Sequence, residues 1–181
     1  LSKVYNNKKV VKNISFKINK NEIIGILGPN GCGKTTTIGM ILGLLKPSGG
    51  KVLIDGNDIE NKRVDLLNNL NFISPYIELP KKLTVKQNLE VYGRLYDVKN
   101  LKTKIQDLVE KLRLNEIINK ITGELSSGQK NRVSLAKSII NDPTVLLLDE
   151  PTASLDPETG DFVRSFLENY QLEKKASILL A

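Results

Sequence analysis

Eight consecutive residues have the types and spacing of a phosphate-binding loop. They follow the pattern Gly-x-x-x-x-Gly-Lys-Thr and are Gly28, Pro29, Asn30, Gly31, Cys32, Gly33, Lys34 and Thr35. Glycines let successive backbone N–H groups point at phosphate oxygens, and a following helix adds the positive end of its dipole. In this pattern the lysine ammonium reaches the β- and γ-phosphates, and the threonine hydroxyl binds Mg²⁺. The loop therefore predicts a site for a nucleoside triphosphate with Mg²⁺.

The segments on either side of this loop suit the elements that must position it. Residues 23–27 form a short apolar run of the buried-strand type, and residues 35–45 suit a helix. The alternative is a chance glycine turn, but a strand before the loop and a helix after it count against that reading. Cys32 occupies an unspecified position of the pattern. It is either a reactive thiol or an inert filler, and the filler is the simpler reading.

An acidic pair follows a second buried apolar run. Residues 145–148 read Val-Leu-Leu-Leu and lead directly into Asp149 and Glu150. A carboxylate at the end of a buried strand can hold Mg²⁺, which gives Asp149 the metal role. Glu150 would then orient or deprotonate an attacking water. The alternative is a strand-terminal turn with solvated acids, and the phosphate loop upstream favours the functional reading.

A third motif lies between these two, at residues 125–129, which read Leu-Ser-Ser-Gly-Gln. The Ser126 hydroxyl and the Gly128 N–H at a helix start could bind an anion. Taken alone, the motif is better explained as a serine N-cap followed by a flexible glycine. Its position between a phosphate loop and an Asp-Glu strand reverses that preference.

The rest of the sequence predicts how these motifs are arranged. Strands alternate with helices, so we expect an α/β fold with a mainly parallel sheet and with ligands at the C-terminal ends of its strands. Further predicted elements are a half-buried strand at 14–18, a strand and turn at 51–56, a helical insert at 83–122 that opens with a capping box at Thr84–Gln87, a helix ended by Asp142-Pro143, and an apolar run at 176–180.

Composition narrows the function classes. The 181 residues contain no His and one Cys, which excludes His-based triads, internal disulfides and most zinc sites. A membrane-spanning helix needs about 18 apolar residues, and every apolar stretch of this sequence is much shorter. The first residues lack a signal-peptide pattern. The net charge of +7 comes from lysines spread along the chain, which indicates a solvated surface rather than a nucleic-acid patch. A reduced, cytoplasmic setting fits.

Together the three motifs resemble those of the ATP-binding domain of ABC transporters, whose signature usually reads Leu-Ser-Gly-Gly-Gln. The resemblance extends over nearly the whole chain. It implies one P-loop NTPase domain at 1–181, incomplete at both ends, with an antiparallel β subdomain near 47–56 and a helical subdomain inserted at approximately 83–122.

The resemblance also implies roles for single residues. Glu150 would be catalytic, Thr35 and Asp149 would hold Mg²⁺, and Tyr5 would stack on adenine, although a tyrosine there is otherwise simply packed. The ATP-binding residues would be Tyr5, Gly28, Pro29, Asn30, Gly31, Cys32, Gly33, Lys34, Thr35 and Thr36. The signature residues Ser126, Ser127, Gly128 and Gln129 would bind the ATP of a partner chain, and the dimer interface would include Ser154 and Asp156.

By this resemblance the chain is expected to bind and hydrolyse ATP in a head-to-tail pair and so to power a transporter. An exporter is favoured, because residues 74–85 resemble those of ABC-2-type exporters. Expected partners are a second copy or a paralogous ATPase domain and a transmembrane permease, on the cytoplasmic face of the membrane, with no direct contact to nucleic acid. The alternatives are a soluble ABC-type ATPase acting on ribosomes or nucleic acid, and a P-loop kinase, which the signature disfavours.

Two departures from the family pattern qualify these expectations. Ser74 or Pro75 stands where the family has a Gln that touches Mg²⁺ or water. No His follows the apolar run that ends at Leu180, although the family uses one near the γ-phosphate. A fragment of a longer domain is the simplest account of the missing His, and the sequence then predicts a chain that binds ATP better than it hydrolyses it.

Overall fold

The computed structural model describes residues 1–61, 63–74, 78–153 and 155–181. Its strands are β1 (Lys3–Tyr5), β2 (Lys8–Val11), β3 (Ile23–Gly25), β4 (Leu53–Ile54), β5 (Asn57–Asp58), β6 (Leu70–Ile73), β7 (Val145–Leu148) and β8 (Ser177–Leu180). Its helices are α1 (Lys34–Ile41), α2 (Arg63–Leu67), α3 (Val85–Leu95), α4 (Leu101–Lys111), α5 (Ser127–Ser138) and α6 (Pro157–Lys174), with a 3₁₀ turn at Thr122–Glu124. Within the described ranges, no helix combines the length and apolar character needed to cross a membrane.

A four-stranded parallel sheet forms the centre of the fold, in the order β3-β8-β7-β6. The last residues of the strands lie side by side, with Gly25 opposite Leu180, Leu180 opposite Leu148, and Leu148 opposite Ile73. The C-terminal ends of all four strands therefore share one edge, where ligands of parallel α/β sheets bind. The predicted α/β fold with a parallel core is confirmed.

Strand β7 is buried on both faces of this sheet. Leu146 and Leu148 belong to the larger apolar cluster, with residues of α3, α4, α5 and α6. Leu147 between them belongs to a second cluster with Ile38 of α1. Both faces are covered by helices, so the strand is continuously apolar rather than alternating.

Two antiparallel hairpins accompany the sheet. Strands β1 and β2 turn at Asn6 and Asn7, with φ of 45° and 62°. Strands β4 and β5 turn at Asp55 and Gly56, with φ of 48° and 76°. Two successive positive φ angles are typical of type I′ turns, for which Asn, Asp and Gly are the preferred residues.

Helices α3 and α4 lie within the predicted insert at 83–122. The segment that enters the insert and the segment that leaves it are joined, and we call residues 80–86 and 118–123 the neck. The Thr122 amide donates to the Leu83 carbonyl at 2.9 Å, and the Gly123 amide donates to the Lys81 carbonyl at 3.0 Å. The two ends of the predicted insert thus lie side by side.

Several predicted boundaries differ from the structure. Residues 14–18 form no strand: Phe16 is 45% exposed, and the Ile14 amide pairs with Leu1 instead of a strand ladder. The helix predicted at 35–45 ends at Ile41, because Gly43 adopts a left-handed φ of 63° that stops it. Of the strand and turn predicted at 51–56, the strand is limited to β4, and the turn forms at Asp55 and Gly56.

Candidate nucleotide site

The glycine loop runs from β3 to α1 in a conformation that depends on its glycines. Gly31 and Gly33 have φ of 80° and 102°, which side chains disfavour. A Cβ on Gly33 would lie 3.0 Å from the Val10 carbonyl oxygen and 3.0 Å from a methyl group of Val11, both in β2. Bulkier residues are thereby excluded at Gly33, and the β1–β2 hairpin lies against the loop.

The loop leaves backbone donors open at the start of α1. Gly33 at the N-cap position gives no side-chain cap. Among the described residues, the amides of Lys34, Thr35 and Thr36 have no hydrogen-bond acceptor, whereas the Thr37 amide bonds to Gly33 at 2.8 Å. Open first-turn amides at the positive end of a helix dipole form an anion site. The geometry therefore fits the phosphates of ATP.

Lys34 lies over the same loop. Its Nζ donates to the Gly28 carbonyl at 2.8 Å and contacts the Pro29 carbonyl at 3.4 Å. An ammonium has three donors, so at least one remains for a phosphate oxygen.

Cys32 is exposed and lies close to Gly28. A Cβ on Gly28 would be 2.5 Å from the Cys32 Sγ, so a side chain at position 28 would clash with Cys32.

A hydroxyl and a carboxylate meet at the sheet edge. Thr35 Oγ1 donates to Asp149 Oδ2 at 2.9 Å, although the two residues are 114 positions apart. Asp149 is 2% exposed and is held by its amide bond to the Ile73 carbonyl at 2.9 Å. Mg²⁺ prefers such oxygens and commonly uses one or two carboxylates together with phosphates and waters. The structure thus brings together the two predicted metal ligands.

Glu150 adopts a different conformation from its buried neighbour Asp149. It is exposed, with a left-handed φ of 49°, and its amide donates to the Ala181 carbonyl at 2.8 Å. A positive φ is uncommon for a residue other than glycine. The Ala181 carbonyl was missed by the sequence reasoning, because a backbone acceptor gives no side-chain signal.

The motif at 125–129 forms the start of α5. The Ser126 side chain accepts from the Gln129 amide at 3.3 Å, and Gln129 Oε1 accepts from the Ser126 amide at 3.1 Å. Gln129 therefore serves the cap itself. The hydrogen bonds of the described residues provide no acceptor for the amides of Ser127 and Gly128, so two donors remain open beside the capped one.

A family model matches the sequence of this chain. The model described as "ABC transporter" matches residues 11–153, which is most of the chain. The chain belongs to the ABC transporter family. Within the matched range lie the glycine loop, the Leu-Ser-Ser-Gly-Gln motif and the Asp149–Glu150 pair.

This ABC protein is similar to two named relatives and to one solved structure. It is 35% identical to the ABC transporter ATP-binding protein NatA of Bacillus subtilis, covering 92% of this chain and 69% of that protein. It is 39% identical to a Nod factor export ATP-binding protein I of Rhizobium johnstonii, covering 99% of this chain but only 58% of that protein. A solved structure of cbiO1 from Clostridium perfringens, described as part of the ABC transporter complex cbiONQ, matches with a TM-score of 0.85 at 30% identity, over all of this chain and 75% of that one.

Three further residues of the ABC pattern stand outside the three motifs in the sequence. Tyr5 in β1 is 43% exposed, with the Lys3 ammonium 5.0 Å from its ring centroid. Asp156 caps α6 by accepting from the Thr159 amide at 2.9 Å and from its hydroxyl at 2.7 Å, and these bonds hold the pKa of Asp156 below its usual value. Ser154 lies outside the described residues.

Helix α6 was not predicted, although its signals are present. Asp156 at the N-cap position and Pro157 at the first helical position are strong helix-start residues. Of the two residues that stand where the family has a Gln, one is described. Ser74 follows β6 and is buried, with 6% exposure, whereas Pro75 lies outside the described residues.

Proposed function

We propose that the chain is the ATP-binding and ATP-hydrolysing subunit of an ABC transporter, working as an exporter. The observation that carries this proposal is the pairing of open amides at the start of α1 with the Thr35–Asp149 contact. Together they provide an anion site and a hard-cation site at one edge of the sheet. The export direction is supported by the relatives named for Nod factor export.

In the proposed cycle, ATP supplies the phosphoryl group, and a bound Mg²⁺ would supply charge neutralisation. The open amides of Gly31 and of Gly33 to Thr36 bind the phosphates, and the Lys34 ammonium turns from the Gly28 carbonyl toward them. Thr35 and Asp149 would hold the metal ion. Glu150, exposed beside Asp149, takes a proton from the attacking water. Tyr5 provides a half-exposed aromatic face for adenine on the hairpin that lies against the loop.

We further propose a head-to-tail pair, formed by a second copy or a paralogous domain. The open amides of Ser127 and Gly128 would then contact the γ-phosphate held by the partner, with the Ser126 hydroxyl beside them. Such reciprocal use of one surface suits a two-fold arrangement. Ser154 and Asp156 would lie at this interface. A transmembrane permease would place the pair on the cytoplasmic face of the membrane, and the similar protein cbiO1 is itself part of an ABC transporter complex.

Binding of ATP to the full chain tests the proposal directly. We expect Lys34→Ala to weaken binding of a fluorescent ATP analogue by about 10- to 100-fold, because it removes a charge-assisted hydrogen bond. Lys12→Ala, at an exposed lysine outside the loop, is the matched control and should leave the affinity unchanged. Equal affinities for Lys34→Ala and the unchanged chain would remove the basis of the proposal.

A further inference from the structure

The loop between β7 and α6 carries Glu150 and is anchored at both ends. At its start, the Glu150 amide bonds to the Ala181 carbonyl at 2.8 Å. At its end, Asp156 caps α6. Between these anchors, the Ala153 amide bonds back to the Glu150 carbonyl at 3.1 Å. The position of the Glu150 side chain depends on how firmly this short loop is held.

One side chain from another element bonds to the middle of the loop. Asn131 of α5 is half-buried, and its Nδ2 donates to the Pro151 carbonyl at 2.7 Å. Pro151 has no amide hydrogen, so its carbonyl is the only backbone hydrogen-bonding group that it offers. Asn131 therefore binds the loop at the residue directly after Glu150.

A second contact joins the same helix to the far end of the loop. Gly128 lies against Thr159, such that a Cβ on Gly128 would be 3.5 Å from the Thr159 methyl group. Thr159 is the residue that bonds twice to Asp156. Helix α5 thus contacts the beginning of α6 as well as the loop before it.

We propose that Asn131 is a positioning residue, which fixes the loop carrying Glu150 to the helix carrying Ser126 and Gly128. This rests on the function proposed above, in which Glu150 serves the nucleotide of its own chain and the start of α5 serves that of the partner. Because one rigid helix joins the two, engagement of α5 with the partner's nucleotide is transmitted to Glu150 through the Asn131–Pro151 hydrogen bond.

The amide group is the essential part of Asn131 in this role. Asn131→Asp keeps the size of the side chain but places an oxygen against the Pro151 carbonyl, where two acceptors repel. Asn131→Gln keeps the donor on a longer chain and should restore the contact. Asn115→Asp makes the same charge change at an exposed residue and serves as the control.

Hydrogen exchange of the full chain measures the contact without any nucleotide. The reporters are the amides of Ala153 and Leu155, which bond to Glu150 and Thr152. Loss of one hydrogen bond should speed their exchange by about tenfold in Asn131→Asp, while amides of β7 and of the core-facing turns of α5 stay unchanged. Asn131→Gln and Asn115→Asp should match the unchanged chain. In the assembled transporter, we expect kcat for ATP to fall by about tenfold in Asn131→Asp, with KM unchanged.

Three results would overturn the proposal. One is unchanged exchange at Ala153 and Leu155 in Asn131→Asp. The second is faster exchange spread equally over α5 and β7, and the third is a rise in KM equal to the fall in kcat. Either of the last two means that Asn131 only supports the fold. Failure of the unchanged chain to bind ATP would instead contradict the proposed function, and the exchange result would still decide whether Asn131 holds the loop.

Discussion

Helices α3 and α5 begin with the same side-chain arrangement but present different surfaces. In α3, Thr84 accepts from the Gln87 amide at 3.1 Å, and Gln87 accepts from the Thr84 amide at 2.9 Å. In α5, Ser126 and Gln129 make the same pair of bonds at 3.3 and 3.1 Å. A capping box satisfies two of the four open amides at a helix start, those of the N-cap residue and of the third helical residue. The difference between the helices therefore lies in the remaining amides.

At the start of α3 these amides are bonded to the neck. The Val85 amide donates to the Lys120 carbonyl at 3.0 Å, and the Lys86 amide donates to the Ile118 carbonyl at 2.9 Å. The Val85 side chain is also fully buried. With these donors used inside the described part of the protein, the start of α3 offers no open amide to an anion.

At the start of α5 the equivalent positions are Ser127 and Gly128, whose amides have no acceptor among the described residues. Ser127 is exposed, and Gly128 adds no side chain that would cover its own amide. The capping box marks where a helix begins, but the residues at its first two positions decide whether the end is closed or open. The two helices thus separate a structural cap from a candidate binding cap within one chain.

An acidic residue at the second helical position should produce the largest difference. Gly128→Asp puts a carboxylate among the open amides, where it repels a phosphate, and we expect ATP-dependent pairing of the chain to weaken by about 100-fold or more. The fold should tolerate the change, because a Cβ there meets Thr159 only at ordinary contact distance of 3.5 Å and an acid near a helix N-terminus is favourable. Analytical ultracentrifugation with and without Mg-ATP measures the pairing.

Lys86→Asp is the matched control, since Lys86 occupies the same second position in α3 and is exposed. It should leave both pairing and thermal stability nearly unchanged. If Gly128→Asp and Lys86→Asp behave alike, then the start of α5 is no more a binding surface than that of α3, and the comparison fails.

The neck should show the next largest effect, this time on stability. Thr122 is buried, and its hydroxyl contacts the carbonyls of Pro80 and Leu83 at 2.7 and 2.9 Å and lies 3.3 Å from Asn88 Nδ2. Thr122→Val keeps the shape but removes these bonds, so we expect the free energy of unfolding to fall by about 1–3 kcal/mol. Urea denaturation measures this.

Affinity for ATP should not change in Thr122→Val, because the neck is not part of the phosphate loop. Thr103→Val, at an exposed position of α4, is the control and should change the free energy of unfolding by less than about 0.5 kcal/mol. A loss of stability no larger in Thr122→Val than in this control would show that the neck does not hold the insert closed.

Removing the capping side chain of α3 or of α5 should lower stability equally, but only the change in α5 should weaken ATP-dependent pairing. Thr84→Ala and Ser126→Ala should each lower the free energy of unfolding by about 1 kcal/mol, the usual cost of losing an N-cap. Only Ser126→Ala should weaken ATP-dependent pairing, because only that hydroxyl lies beside open amides. Denaturation curves and sedimentation on the same two proteins provide both readouts, and a pairing defect in Thr84→Ala would contradict the assignment of α3 as a purely structural cap.

The sequence predicted the elements whose signals are local. The run at 145–148 became β7 without a shift, since four apolar residues bounded by an acidic pair leave little choice. The prediction of a strand at 14–18 was wrong. Alternation indicates a half-buried strand only where a neighbouring strand can pair, and residues 14–18 have no such partner. Local pattern predicted the element types well but not the pairing partners.

The candidate site likewise separates into features with a local sequence pattern and contacts without one. The glycine loop and the acidic pair could be found from spacing, but their meeting through Thr35 and Asp149 depends on a sheet order that places β8 between β3 and β7. No sequence motif indicates that Asn131 and Ala181 contact the loop carrying Glu150. The contacts that could not be predicted are those made by backbone groups and by side chains outside any motif.

The smallest expected effect concerns a second attachment of the insert. Asp142 accepts hydrogen bonds from Lys104 of α4 at 2.8 Å and from Lys174 of α6 at 3.0 Å. Partial burial raises the pKa of Asp142, but the bonds and charges of the two lysines outweigh it and leave this pKa below its usual value. The carboxyl is partly solvent-exposed, so its contribution to stability should stay below about 1 kcal/mol.

A lowered folded-state pKa means that the unfolded chain binds the proton more readily, so this contribution is complete well above pH 4 and is lost as pH falls through the folded-state value. The pKa of Asp156 is lowered as well by its bonds to Thr159, and comparing the chain with Asp142→Asn at each pH cancels the effect of Asp156. We expect the two free energies of unfolding, from urea curves between pH 6 and pH 3, to differ at pH 6 and to converge toward pH 3. A constant difference would mean that Asp142 does not tie α4 to α6 as a charged group, and that the neck and apolar packing alone hold the insert in place.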